Sequence, residues 1–271
     1  MSSMNVSFSS LNNATNSVNN SIKKISTGSR HPGASYGPSD YAITKRMEYN
    51  LGGYNQSVAN TQNANAMLNT AASAVNNTVS SLTSLRENIL NAMNGTNGGS
   101  DLAAIQRSVD QTVSQINENA GVTYNGQKLL DGTNPGITVV GSNGYDTVAM
   151  GNMTSEGLGL TDSQGNSTIN LSDPSSLSNA LDTVDKALNS ALDQATSIGA
   201  AQQGMEFQEA NYVTASENLT YSMSTMDDTD IAAESVNLKS AQTQQQLALF
   251  GIQAQMGMMA NRMNVAQLLG H

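Results

Sequence analysis

The chain has 271 residues, a formal net charge of −10 and no cysteine, and only 4% of its residues are aromatic. The lack of cysteine excludes a disulfide framework, a thiolate metal site and a cysteine nucleophile, and the acidic balance disfavours a nucleic-acid partner. So few aromatic side chains disfavour a thick globular core, because such residues normally supply much of the buried area. We therefore expect an elongated, mainly α-helical architecture.

Apolar residues recur with heptad spacing near the start of the chain, which predicts an amphipathic helix. The stripe comprises Met4, Phe8, Leu11, Val18, Ile22 and Ile25, with one polar interruption at Thr15. Glycine and proline in residues 28–38 predict an irregular linker after it. The heptad pattern returns from Ala64 to Ala92. It appears again from Leu102 to Ala120, after a turn at 94–100 in which Ser100 or Asp101 is the predicted N-cap.

The only β-prone region lies between these helices and the second half of the chain. Residues 137–140 and 145–150 flank Ser142-Asn143-Gly144, which predicts a β-hairpin near 136–150. Residues 168–171 are a candidate for one more short strand.

Two further helices are predicted after the hairpin. The fourth runs from Leu177 to Met226, and acidic residues at 227–230 precede the last helix, where they favour a helix N-terminus. We interpret these acids as capping groups, because a calcium loop would need Gly at its sixth position and Glu at its twelfth. The last helix has an apolar stripe that is widened by the residues around Leu249, and the stripe consists of Ala248, Ile252, Met256, Met259, Met263 and Ala266.

Charge divides the chain in a second way. Residues 1–50 contain five basic and two acidic side chains, whereas residues 146–234 contain fourteen acidic side chains and a single lysine. Nearly neutral ends suit burial in an assembly, and an acidic middle suits water. No segment approaches the roughly 18 apolar residues that span a bilayer, so no membrane association is expected. The first residues also lack the basic start and apolar run of a cleavable secretory signal.

Five motifs, in this order, resemble segments of bacterial flagellins. They are Ile25–Arg30, Asn94–Asn97, Thr123–Gly132, Val140–Gly144 and Asp227–Glu234. The resemblance covers essentially the whole chain. It implies a structural subunit that self-assembles into the flagellar filament for motility, is secreted through the flagellar type III apparatus, and resides in the extracellular flagellum. Because only about 25 residues lie between the hairpin and the fourth helix, the resemblance is to a minimal, core-only flagellin.

The resemblance also implies a division of the chain. Residues 1–45 are the inner-core N-terminal helix with its linker, residues 46–226 are the outer-core antiparallel helical bundle with the hairpin, and residues 227–271 are the inner-core C-terminal helix. The terminal helices are expected to form an inner coiled coil in the filament. The expected outer-core packing residues are Leu68, Val75, Leu82, Leu85, Ile89, Leu181, Val184 and Leu188.

The residues themselves indicate why the ends should polymerise. A helix with one apolar face must bury that face to be stable. Ordering a residue costs about 1–2 kcal/mol, and burying a Leu, Ile or Met contributes about 1.5–3 kcal/mol, so packing against several neighbours favours assembly. The expected inter-subunit residues are Phe8, Leu11, Val18, Ile22, Ile25, Leu249, Ile252, Met256, Met259 and Met263.

The family resemblance implies further partners. These are an export chaperone that holds the C-terminal helix, and the hook–filament junction and cap proteins. The stretch that resembles the segment recognised by the vertebrate innate flagellin receptor is Leu82–Asn88, in which Arg86 and Glu87 match. Ser84 stands where stimulatory members carry Arg, and Asn88 where they carry Leu, so we expect weak or absent recognition.

No catalytic residue, cofactor or metal site is predicted, because His31 and His271 have no nucleophile or ligand pattern around them. Two alternative functions remain. One is a hook–filament junction protein of the same architecture, which the fit of residues 124–132 and 227–234 to flagellins disfavours. The other is a type III secretion translocator, which would need a long apolar hairpin.

Overall fold

The computed structural model describes residues 2–142, 144–173 and 175–269, with side chains from Asn5 to Val265. This part of the chain is mainly α-helical with a small antiparallel hairpin, which confirms the predicted fold class. The helices are α1 (Ser2–Thr27), α2 (Pro38–Ala92), α3 (Gly99–Ala120), α4 (Leu177–Asp227) and α5 (Ile231–Leu269). The strands are β1 (Thr123–Tyr124), β2 (Gln127–Lys128), β3 (Gly136–Gly141) and β4 (Gly144–Ala149).

Helix α2 begins at Pro38, well before the apolar stripe that starts at Ala64. Proline suits the first position of a helix, since its fixed φ is helical and its missing N–H needs no partner there. The early turns bury hydroxyl residues instead of aliphatic ones, which is why heptad counting missed them. Ser57 and Thr61 are buried and donate to the carbonyl oxygens of Gly53 and Ser57, each at 2.8 Å.

The chain forms two compact units, and their boundaries fall inside α2 and α4. One unit is Met1–Leu51 with Glu217–His271, and the other is Gly52–Ser216.

In the unit Gly52–Ser216, α2 and α4 run antiparallel with a heptad repeat. Polar pairs bridge them at intervals of seven residues on each helix: Asn55 with Ser216 (2.9 Å), Gln62 with Glu209 (2.6 Å) and Asn69 with Gln202 (2.7 Å). Farther along, Arg86 Nε donates to Asp185 Oδ1 at 2.7 Å in the same register. Constant register over this length is the mark of a coiled coil.

The core of this unit lies among α2, α3 and α4. Of the expected outer-core residues, Leu181 and Leu188 are partly buried against the core, and the others have no exposed surface: Leu68, Val75, Leu82, Leu85, Ile89 and Val184. The predicted start of α3 was wrong by two to three residues. Its N-cap is Gly98, and Asp101 lies in the first turn, where its carboxylate accepts the Gly98 N–H at 3.0 Å.

Two hairpins precede α4. Strands β3 and β4 pair Ile137 with Val148, and they form the predicted hairpin; Asn143 of its turn lies outside the described residues. Ile137 and Val139 point into the core, each 4% exposed. Strands β1 and β2 form a second hairpin, which was not predicted from the sequence. Its turn residues Asn125 and Gly126 have φ of 49° and 78°, as a type I′ turn requires.

Between β4 and α4, Ile169 and Leu171 are almost fully buried in the core of this unit. The prediction of a strand at 168–171 was wrong. The backbone of this segment forms hydrogen bonds with a side chain instead of with a neighbouring strand. The Gln106 amide donates to the Ile169 carbonyl at 3.0 Å and accepts the Leu171 N–H at 2.8 Å.

Candidate functional site: the paired terminal helices

Helices α1 and α5 pair antiparallel. Three hydrogen bonds between their side chains fix the register: Ser7 with Gln255 (3.0 Å), Thr15 with Gln245 (3.1 Å) and Ser21 with Glu234 (2.7 Å). As the residue number increases along α1, the residue number of the bonded partner on α5 decreases. The two helices therefore lie side by side along most of their lengths.

The contact between them, which we call the seam, follows a heptad pattern. On α1 the heptad positions that are buried or partly buried are Ser7, Leu11, Ala14, Val18, Ser21 and Ile25, and Thr15 and Lys24 beside them are partly buried too. On α5 the heptad positions are Glu234, Leu238, Ala241, Gln245, Ala248, Ile252 and Gln255, with Gly251 partly buried beside them. Small and polar residues alternate with aliphatic ones, so the seam buries little apolar surface for its length.

The apolar stripe that was predicted from the sequence lies partly in the seam and partly outside it. Leu11, Val18, Ile25 and Ile252 are in the seam, with Ile252 only 7% exposed. Six other members of the predicted set are roughly half exposed or more: Phe8 (50%), Ile22 (47%), Leu249 (44%), Met256 (52%), Met259 (46%) and Met263 (70%). Packing within the chain therefore covers only part of the stripe.

Five of these six exposed members, all but Met259, share one side of the pair. Phe8 and Ile22 each follow a seam residue of α1, and Leu249, Met256 and Met263 recur every seven residues on α5. Because the helices are antiparallel, positions that follow the seam in this way meet on the same side. The register set by Ser7 and Gln255 also places residue 263 beyond the first residue of α1.

Helix α5 is apolar on its other sides too. Leu247 and Phe250 lie away from the seam and are 66% and 72% exposed, and Met258 and Val265 flank its second edge at 60% and 54%. Between residues 235 and 269 only Lys239 and Arg262 are charged. Residues 247–250 were predicted to widen the single apolar stripe. Leu247 and Phe250 instead lie on a separate face of α5, away from the seam. A helix that exposes large apolar side chains on several sides is stabilised when further neighbours bury them.

A short linkage, here called the linker clasp, joins residues 28–31 to residues 227–229. Gly28 ends α1 with a left-handed φ of 68°, and its carbonyl accepts the Thr229 N–H at 2.9 Å. Ser29 and Asp228 form an isolated antiparallel bridge. The backbone of the first linker is thus fixed to the connection between α4 and α5.

His31 is the central side chain of the linker clasp and is 14% exposed. Its Nδ1 lies 3.2 Å from Asp227 Oδ1, and its Nε2 lies 3.6 Å from Asp40 Oδ2. The sequence predicted only a linker around His31, because Asp227 is 196 residues away along the chain and no pattern linked His31 to Asp40. His271 lies outside the described residues. Asp230 caps α5 as predicted, since its carboxylate accepts the N–H groups of Ala232 and Ala233 at 2.9 and 3.0 Å.

The seam contains one buried charge, Glu234, which is 9% exposed. It accepts hydrogen bonds from Ser21 at 2.7 Å and Asn237 at 3.2 Å, and Lys24 Nζ lies 4.0 Å away. These groups, Ser21 foremost, favour the ionised form and hold the pKa of Glu234 below its ordinary value of 4.5, against the opposing effect of burial.

Within the described ranges, no three His, Asp or Glu side chains converge as a metal site would require. No helix in the described part of the chain has both the length and the apolar character that crossing a membrane requires.

This geometry defines a class of protein. Both termini are helices whose large apolar side chains face outward, and only other protein surfaces can cover them on every side. The chain is therefore a mainly helical protein whose paired terminal helices leave several large apolar side chains uncovered.

Comparison with known proteins identifies the family. The bacterial flagellin N-terminal helical region matches residues 1–135, and the flagellin C-terminal helical region matches residues 181–269. The chain is 31% identical over 247 residues to the flagellar filament 30.7 kDa core protein of Treponema maltophilum, a match that covers 86% of this chain and 87% of that protein. The chain belongs to the bacterial flagellin family.

Solved structures show the same fold. Bacillus cereus flagellin aligns with a TM-score of 0.50 at 23% identity, covering 57% of this chain and 88% of that one. A putative flagellar hook-associated protein from Vibrio parahaemolyticus aligns with a TM-score of 0.60 at 15% identity, covering 71% and 100%. At this identity the second likeness concerns the fold alone, so it gives the junction-protein alternative only weak support.

Family membership settles the general role. The protein is a structural subunit of the bacterial flagellar filament, and it is exported to form the extracellular filament. The form is minimal, since only residues 150–176 lie between β4 and α4, and Leu158, Leu160, Ile169 and Leu171 among them are buried in the core.

Proposed function

We propose that α1 and α5 provide the main contact between copies in the filament, as a pair whose exposed sides pack against neighbouring pairs. The observation that carries this proposal is the exposure of Phe250, Met256, Met258 and Met263 by 52–72% on a helix with almost no charge. Leu11, Val18, Ile25 and Ile252 would hold the pair together, while Phe8, Ile22, Leu249, Met256, Met259 and Met263 would meet other copies.

The domain assignment is part of the same proposal. Residues 1–45 and 227–271 would form the inner core, and residues 46–226 the outer core. The compact units support this division, because their boundaries at 51/52 and 216/217 fall near the proposed ones. The seam supports it as well, since a pair of helices with a polar seam needs further neighbours to bury its remaining faces.

The test compares two phenylalanines of equal exposure. Phe250 on α5 is 72% exposed and Phe207 on α4 is 71% exposed. We expect Phe250→Asp to abolish polymerisation of the purified chain, because a buried unpaired carboxylate is costly, whereas Phe207→Asp should still form filaments. Sedimentation and negative-stain electron microscopy measure assembly, and far-UV circular dichroism checks that both variants remain folded.

Phe250 is preferred to Ile252 as a probe because Ile252 lies in the seam, so a charge there would break the pair before it reached any contact between copies. If Phe250→Asp assembles normally, or if both aspartate variants fail equally, the terminal helices are not the main contact.

The same α5 surface supports a role in export. We propose that an export chaperone covers it before assembly, since an exposed apolar helix is a liability in the cytoplasm. Hook–filament junction and cap proteins are the further proposed partners at the filament ends. Co-purification of the chaperone with the wild-type chain, but not with Phe250→Asp, would distinguish this surface from others.

For the innate flagellin receptor we propose weak or absent recognition. Leu82 and Leu85 are fully buried, and Arg86 is already paired with Asp185 at 2.7 Å. Ser84 offers no guanidinium, and Asn88 bonds Ser108 at 3.3 Å. A cell reporter assay should give a response well below that of a strongly stimulatory flagellin.

We further propose that the role is structural without catalysis, which fits a family of structural proteins. His31, the titratable residue closest to a catalytic type, is engaged in the linker clasp by Asp227 and Asp40. Abundance in filaments sheared from cells tests the bulk role against the junction alternative, since a junction protein would be a trace component.

A further inference from the structure

The methionines of the chain are unevenly placed. The chain has fourteen methionines. Four of them lie in one eight-residue segment of α5 and are 46–70% exposed: Met256, Met258, Met259 and Met263. We call them the methionine cluster. Methionines in the other unit include Met150, Met153 and Met205, which are at most 7% exposed, and Met93, which is 44% exposed.

We propose that the methionine cluster is a reversible oxidation site that controls assembly, with hydrogen peroxide as the oxidant. This inference rests on the proposed role of α5 as the contact between copies. In each reaction the thioether sulfur takes one oxygen atom as the peroxide O–O bond breaks. The sulfur loses two electrons, and the peroxide is reduced to water.

The position of the cluster makes the product incompatible with assembly. Met256 and Met263 lie on one edge of the seam and Met258 on the other, so neighbours on either side would meet a sulfoxide. A sulfoxide is a strong acceptor that needs a donor when buried. Asn261 and Arg262 are the only residues with side-chain donors within the cluster segment 256–263, so four new acceptors would compete for two side chains.

The same placement limits the damage to assembly. The cluster is outside the buried core of the unit Gly52–Ser216, and the core methionines Met150, Met153 and Met205 are at most 7% exposed. Oxidation of the cluster should leave that core folded, and reduction of the sulfoxides should restore the original surface. A methionine sulfoxide reductase supplied with a dithiol reductant therefore reverses the effect, since the sulfoxide oxygen leaves as water and the dithiol is oxidised to a disulfide.

The experiment treats unassembled protein and finished filaments with hydrogen peroxide and maps sulfoxides by peptide mass spectrometry. In unassembled protein, Met93 and the methionine cluster should oxidise together. In filaments the cluster should be protected, while Met93 serves as the internal reference for each sample. Oxidised protein should need a critical concentration at least about tenfold higher for assembly, equivalent to about 1.4 kcal/mol, and methionine sulfoxide reductase should restore it.

The control is a variant with Met256→Leu, Met258→Leu, Met259→Leu and Met263→Leu, which keeps the apolar volume and removes the sulfur. It should assemble equally well before and after peroxide. Loss of its assembly after peroxide would place the sensitive residues elsewhere and overturn the inference.

Two further outcomes separate this inference from the proposed function. If the cluster is protected in filaments but fully oxidised protein assembles normally, the oxidation control fails and the contact stands. If the cluster oxidises as readily in filaments as in unassembled protein, α5 is not the contact and both proposals fail.

Discussion

Leu82 and Ile116 in the unit Gly52–Ser216 have no exposed surface, whereas Phe250 and Met258 on α5 are 72% and 60% exposed. The difference follows from the number of neighbours. Helix α2 packs against α3, α4 and the connecting segments of its own chain, so its apolar side chains are covered from several directions. Among the described residues of its unit, α5 packs along α1, and a single seam covers one face of a helix. The proposed contact between copies would cover the apolar side chains of α5 that the seam leaves exposed.

Hydrogen exchange should show the largest contrast. In unassembled protein, we expect amides of α1 and α5 to exchange at least about a thousandfold faster than those of α2 around Leu82, because local opening ranges from nearly free to the global unfolding energy. Assembly should slow the terminal amides and raise the far-UV helical signal. Equal protection of both regions before assembly would mean that the helix pair is stable alone.

Leu82→Ala should give the largest loss of stability. Removing a fully buried leucine side chain lowers the free energy of unfolding by about 2–5 kcal/mol. The matched control is Leu192→Ala, since Leu192 is 45% exposed and its truncation should stay within about 0.5 kcal/mol. Denaturant unfolding followed by circular dichroism measures both. Equal losses would indicate that Leu192 is more deeply packed in solution.

The seam should weaken in acid. The pKa of Glu234 in the folded chain lies below its ordinary value of 4.5, so its contribution is fully present above pH 4.5 and is lost as the pH falls through the folded pKa. Terminal amides should therefore exchange faster at low pH, after correction for intrinsic rates. Glu234→Gln should remove this extra pH dependence, and an unchanged profile in the variant would assign the effect to another group.

The smallest effect is expected at Arg86. Its ion pair with Asp185 is short, at 2.7 Å, but both side chains are 41% exposed, and exposed pairs contribute about 0–1 kcal/mol. A double-mutant cycle with Arg86→Ala and Asp185→Ala measures the coupling energy directly. Coupling well above that range would show that the pair is shielded from solvent.

Heptad periodicity predicted the helices well where aliphatic residues form the buried face, as in α2. Leu68, Val75, Leu82 and Ile89 are seven residues apart, and all four are buried. The method failed where burial uses hydroxyls, as at Ser57 and Thr61 in the early turns of α2. It also failed at Ile169 and Leu171, whose alternation resembles a strand although Gln106 satisfies their backbone groups.

The candidate site was predicted only in part. The stripe from Phe8 to Ile25 and the methionines of α5 follow from spacing, but spacing does not reveal which edge of the stripe a partner helix covers. The linker clasp was invisible in the sequence, since His31 and Asp227 are 196 residues apart. The type I′ turn at Asn125-Gly126 could have been predicted from its sequence, because Asn-Gly is the same signal that predicted the other hairpin.

The sequence alone determined that both ends are amphipathic helices and that the acidic middle carries its own aliphatic core, because heptad spacing and charge are local properties of the chain. The tertiary structure decided how each apolar stripe is shared. It placed Leu11, Val18 and Ile252 against the partner helix and left Phe8, Met256 and Phe250 outside, since the rotation of one helix about another depends on the small and polar residues that meet between them.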